Sequence, residues 1–212
     1  KIRAVQKAKG ERGVPLTVNV PYGYVKDPEN PKHWLVDPEA AAIVKRIFSM
    51  CMEGRGPTQI ANQLWADKVL TPTAYKLSHG RSTNAPAPED PYRWDKRAVS
   101  LILERREYTG CTVNFKTYTN SIWDKKRHLN PVENQAIFPD THERIIDDDV
   151  FEKVQEIRSQ RHRMTRTGKS SIFSGMVYCA DCGSKMQYGS SNNRDFSQDF
   201  FDCSLHKKNG SK

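Results

Sequence analysis

The stretch VYCADCGSKM, Val177 to Met186, sets Cys179 and Cys182 two residues apart on a turn closed by Gly183. Thiols at this spacing form half of a tetrahedral zinc site, since one short knuckle lets both sulfurs face the same ion at about 2.3 Å. Two more ligands are needed, and downstream the sequence offers Cys203 followed by His206. The pattern C-x2-C-x20-C, set among the apolar, strand-like segments IFSGMVY and KMQY, is that of a zinc ribbon with Cys179, Cys182 and Cys203 as ligands to a structural Zn2+. The fourth ligand stays open between His206 and a residue beyond Lys212. The bland alternative is a hairpin that carries two incidental cysteines.

Five cysteines in 212 residues, three of them grouped, do not make a secreted disulfide framework. Cys51 falls on the apolar stripe of a predicted helix and reads as a structural thiol. The 34 Lys and Arg outnumber the 25 Asp and Glu for a net charge of +9, and the excess is clustered, which points to a polyanion as partner. One cluster is the opening arm, with Arg3, Lys7, Lys9 and Arg12 against Glu11; a solvated tail fits it equally well. Another runs Arg158, Arg161, Arg163, Arg166, Lys169 with no acid between, and reads as a basic linker. A third surrounds a short amphipathic segment, with Arg93, Lys96, Arg97, Ser100, Arg105 and Arg106.

Several catalytic readings fail on spacing. RTGKSS resembles the end of a phosphate loop, but Arg163 stands where the motif needs its first glycine. No histidine precedes a Glu by two residues, which removes a zinc deaminase. A metal nuclease using His128 or His142 is the enzymatic runner-up, and a zinc ribbon that docks on protein is the non-enzymatic one. No apolar run nears the ~20 residues of a membrane span, so a soluble, cytoplasmic chain is expected.

Local signals in the sequence predict the helices and strands that carry these groups. VPYGYVKDPENPKHWLVDPE suggests a hairpin or extended entry. Ala40, Ile43, Val44, Ile47, Phe48 and Cys51 recur at helical spacing behind Asp37 and Pro38, and Gly54 ends this helix. A second helix begins near Thr58, with Ile60, Ala61, Leu64 and Trp65 on one side, and stops before Thr71. Residues 73–93 read as an inserted loop. A third helix, 95–104, has Asp95 as cap, Val99, Ile102 and Leu103 inward, and Lys96, Arg97 and Ser100 turned away. The tight turn and the exposed bases fit a helix-turn-helix unit, whose last helix enters the DNA major groove; an ordinary helical bundle is the plainer reading. YTGCTVNFKTYT predicts a strand or hairpin, WDKKRH a loop, and 145–164 a fourth helix with Val150, Phe151, Val154 and Ile157 inward.

With these stretches in view, VPYGYVKDP, LVDPEAAAIVKRIFSMCMEGRGPTQIANQL, RWDKRAVSLILERREYTG, HERIIDDDVFEKVQ and SGMVYCADCGSKM resemble the C-terminal DNA-binding part of a large serine recombinase. The resemblance implies an α+β chain: a basic arm (1–14), a helical recombinase domain with a small β hairpin (15–145), a linking helix and basic linker (146–170) and a zinc ribbon (171–212). It implies duplex DNA at attachment or transposon-end sites as partner, with the three basic clusters on DNA. Strand exchange and self-association would belong to domains outside this chain. The family's ribbon supplies four cysteines, so a fourth is expected beyond Lys212. The interval from Cys182 to Cys203 leaves no room for the coiled-coil insertion that such ribbons carry.

Overall fold

The computed structural model describes residues 2–17, 19–81, 83, 85–120, 123, 126–160, 171–190 and 199–209. The chain divides into two compact units, Lys1–Ile157 and Arg158–Lys212. In the first, α1 (Ile2–Glu11) is a true helix that ends at Gly13, whose φ of 76° lies in the left-handed region. Its C-terminal end is bolted to the body. The Asn114 amide donates to the carbonyls of Gly10 and Val14 at 3.1 and 2.9 Å, and its oxygen accepts the Leu16 N–H at 3.2 Å. A side chain at Gly10 would strike the Phe115 ring at 2.4 Å, so glycine is retained despite its helix penalty. A merely solvated tail is therefore ruled out for this end of the arm.

The expected entry hairpin is β1 (Tyr24–Lys26) against β2 (Trp34–Val36), antiparallel, with Tyr24 opposite Val36. α2 (Pro38–Met52) follows and stops at Gly54, and α3 (Pro57–Ala66) begins after a four-residue turn. α3 ends earlier than predicted, closed by Lys68 at φ 54°. The loop predicted over 73–93 is also corrected: α4 (Pro72–Ser78) forms there, capped by Thr71 through the Ala74 N–H and anchored by buried Ala74 and Tyr75. Thr-Pro reads as a stop, but Thr at the cap and Pro in the first turn is equally a start.

α5 (Lys96–Glu104) is the expected third helix, with Val99, Ile102 and Leu103 buried against α2 and α3. A 3₁₀ turn (Arg106–Thr109) leads into β3 (Thr112–Asn114) and β4 (Thr117–Tyr118), which return through β5 (His128–Leu129) and β6 (Ala136–Phe138) as nested antiparallel pairs. His128, predicted in a loop, is thus in a strand. α6 (Asp148–Gln160) closes the unit with Phe151 and Val154 buried. The second unit holds β7 (Met186–Gly189) paired with β8 (Phe200–Cys203), then α7 (Ser204–Asn209). Of IFSGMVY, Tyr178 bridges to Lys185, while 172–176 form turns rather than the expected strand.

Tyr108 is the centre of the first unit. Its ring is fully buried, stacks on Tyr24 and meets Phe48 edge-on, at 6.0 and 6.1 Å between centroids. Its hydroxyl donates to the Tyr22 carbonyl at 2.8 Å, and its own carbonyl accepts the N–H groups of Ile145 and Ile146. Burial pushes this phenol well above its ordinary pKa, so it remains a donor at any working pH. Asp37, the predicted cap of α2, spends its carboxylate elsewhere: it accepts from the Tyr75 hydroxyl at 2.9 Å and from Arg81 at 3.0 Å. Burial raises its pKa, but these two donors outweigh that and hold it below the ordinary carboxylate value. Tyr108→Phe keeps the ring and strands the Tyr22 carbonyl, so chemical denaturation should show a loss of about 1–3 kcal/mol.

Candidate nucleic-acid interface and metal centre

Asp95 starts α5 by accepting the Arg97 N–H at 2.5 Å. With one stripe of the helix committed to the core, Lys96 and Arg97 are exposed on its first turn and Ser100 is half-buried beside them. Bases at a helix N-terminus oppose the macrodipole and cost stability, while together they build a strong positive potential suited to phosphate.

The segment leading into α5 is held by contacts that spacing does not reveal. Trp65, expected inside, is 41% exposed; its indole N–H donates to Asp90 at 2.9 Å, and the Arg93 guanidinium lies over its ring at 5.6 Å. Lys68 sits over Tyr92, and the Trp94 indole donates to the Val69 carbonyl at 3.0 Å. Arg93 is thereby set next to Lys96 and Arg97 on a fixed aromatic support. The Trp65 and Asp90 pairing is a signal that only the tertiary structure supplies.

The other predicted bases are less uniform. Arg105 is half-buried at the end of α5, and Arg106 turns to Glu152 of α6 at 3.4 Å in a partly exposed pair. Lys7 pairs weakly with Glu11 at 3.8 Å on an exposed face, while Lys9 and Arg12 are exposed. Arg3 lies on α1. Arg158 is half-buried in the last turn of α6. Arg161, Arg163, Arg166 and Lys169 lie outside the described residues.

The two candidate nuclease histidines do not form a site. His142 is buried between Tyr24 and Trp34, each 4.8 Å away, and donates from Nε2 to the Glu107 carbonyl at 2.8 Å. Burial lowers its pKa and keeps it neutral, as a packed structural histidine. His128 packs at a tilt against Tyr118 in the β4–β5 pair. Neither belongs to a potential metal-binding group among the described residues.

That description fits the cysteines of the second unit. The Cys179 N–H donates to the Ser184 carbonyl and the Gly183 N–H to the Cys179 carbonyl, each at 2.9 Å, with Gly183 left-handed at φ 66°. This knuckle turns both thiols to one side, and β8 brings Cys203 to them. The three sulfurs lie within 4.8 Å of one another, Cys182 and Cys203 at 3.5 Å. Thiolates around tetrahedral zinc stand about 3.8 Å apart, so the donor set fits that ion. The Ser184 hydroxyl, the His206 backbone N–H and the Cys182 thiol pull Cys203 down to about 6, which favours the thiolate a metal needs. His206, on α7, is not part of the group.

Comparison with known proteins finds two family models on the chain. A family model described as Recombinase matches residues 38–161, and one described as Recombinase zinc beta ribbon domain matches residues 172–212. The uncharacterized protein YefB of Bacillus subtilis (strain 168) is 32% identical over 96 residues, 45% of this chain, which spans about a third (32%) of that protein's length. Two solved structures are similar in fold. One is described as "Sequence Requirements of the Listeria innocua prophage attP site" (TM-score 0.53, 17% identity, 98% of this chain and 75% of that one). The other is described as "Crystal Structure of a LSR-DNA Complex" (TM-score 0.52, 16% identity, 97% of this chain and 56% of that one). Elemental analysis of purified chain should find about one zinc ion per molecule, and Cys203→Ala should lose most of it.

Proposed function

Because the chain belongs to the Recombinase family, whose model covers more than half of it, we propose that it binds duplex DNA sequence-specifically as the targeting part of a serine site-specific recombinase. The observation that carries this is α5: its inner face is fixed by the core, and its first turn presents Lys96 and Arg97 beside the stacked Arg93. Arg and Lys so placed can reach guanine edges or phosphates in the major groove, and Ser100 can reach either. The arm bases Arg3, Lys7, Lys9 and Arg12 and the linker bases Arg158, Arg161, Arg163, Arg166 and Lys169 would hold phosphates and set register. Arg105 belongs with the first group, whereas Arg106, paired to Glu152, is the weakest of the set.

We assign the ribbon, residues 171–212, a second DNA segment, and a structural Zn2+ held by Cys179, Cys182 and Cys203. Bound zinc would cross-link the knuckle to β8 and fix the ribbon's shape; the residues around it do the contacting. Linking the two modules through 146–170 raises the effective concentration of each for its own segment. Sites of the attachment or transposon-end class are the expected targets, and strand cleavage is not assigned to any residue of this chain. A second reading, a ribbon that docks on protein, is favoured by the exposure of Ile172 (80%) and Met176 (65%).

Selection of bound sequences from a random duplex pool, followed by titration over a salt series, tests the proposal. Affinity should fall linearly in log–log form, with a slope of about −0.9 per phosphate neutralised. Arg97→Ala should lose about 1–3 kcal/mol on the selected site and relax its base preference, while Arg161→Ala should weaken selected and random duplex alike. Equal effects of both variants on both duplexes would remove the major-groove assignment of α5.

A further inference from the structure

A shallow cleft of about 260 Å³ opens between the end of α1, the β1–β2 hairpin and the β3–β6 pair. Arg12 lines it from the end of α1, Asn30, Lys32, His33 and Trp34 from the β1–β2 hairpin, and Thr112 and Thr141 from β3 and the segment after β6. These residues come from segments far apart in sequence, and no carboxylate is among the described residues that line the cleft. Arg12 and Lys32 are exposed. The cleft is preset rather than formed by chance: Asn114 ties the chain on both sides of Arg12 to β3, and Gly13 makes the left-handed turn that follows.

Charge separates this cleft from a second one of similar size beside Arg46 and Arg55, where Asp67 and Glu53 neutralise both guanidiniums. Asp27, which does not line the first cleft, stands 3.5 Å from His33, and the carbonyl end of α1 lies beside Arg12. Arg12 and Lys32 therefore carry the positive charge of the cleft. Its volume is below that of sites which enclose drug-sized ligands. What fits is a small anionic group presented by something larger.

The geometry points to a phosphodiester of the DNA backbone, held in this cleft by Lys32 and Arg12, with His33 and Asn30 as further hydrogen-bonding groups. This rests on the duplex-binding reading above and adds a contact from the β1–β2 turn, which the sequence did not single out. It positions the protein on DNA and reads no base.

The test uses the full chain and a mixed-sequence DNA duplex. Lys32→Gln/His33→Gln should bind roughly three- to tenfold more weakly and flatten the log–log salt slope by about 0.9 for each phosphate that is no longer neutralised. Its thermal midpoint should change little, since Lys32 is exposed and His33 loses only a partly exposed contact with Asp27. Lys32→Arg should restore the slope. If wild type binds and the double variant keeps both affinity and slope, the cleft assignment is wrong while the broader reading stands. If wild type fails to bind any duplex at low salt, both fall. Inorganic phosphate saturating the Lys32 and His33 NMR signals, with duplex binding unchanged in the double variant, would make the cleft a free-anion pocket and overturn the assignment.

Discussion

The Tyr108 hydroxyl meets the Tyr22 carbonyl in an interior that water does not reach, and four segments depend on that meeting. The phenol fixes the strand entering β1, its ring packs on Tyr24 and Phe48, and its carbonyl takes two N–H groups from the segment before α6. α5 ends a few residues earlier, so its C-terminal end is set by the same residue. Its other end is set by Trp94, which is buried and donates to the Val69 carbonyl. Fixed at both ends and buried along Val99, Ile102 and Leu103, the helix has no freedom to turn its bases inward.

That constraint explains why charge collects where it does. Lys96 and Arg97 stand where the helix dipole disfavours them, and Arg93 is stacked on a partly exposed Trp65 rather than paired with an acid. Other bases meet acids: Lys116 reaches the buried Glu107 at 2.5 Å, Arg81 meets Asp37, and Arg106 meets Glu152. Exposed bases gathered at the start of α5 and around the cleft suit a partner that brings its own negative charge.

Much of this was legible in the sequence where one local rule dominates. The apolar period of α2, the Asp95 cap and inner stripe of α5, the entry hairpin and the CxxCG knuckle all follow from spacing and cap chemistry alone. What was missed depends on contacts between distant segments. α4 was hidden because Thr71-Pro72 serves a helix start as well as a stop. Trp65 fitted the stripe of α3 by position, but Asp90 holds its indole at the surface. The arm could not be told from a solvated tail until Asn114, about a hundred residues on, supplied its hydrogen bonds. The β3–β6 pairing spans more than twenty residues and has no local signal.

The cysteine knuckle is the other fixed point, independent of the first unit: three sulfurs drawn together by one turn and one strand pair, at separations that suit a tetrahedral ion. If two modules grip one duplex and the second needs its metal, the two grips should separate when zinc is removed. Hydroxyl-radical footprinting of the full chain on a selected site, with and without a zinc chelator, tests this most directly. Two separated protected stretches should be seen, and chelation should erase one while leaving the other. A footprint that chelation leaves whole, or a single stretch lost entirely, would contradict it.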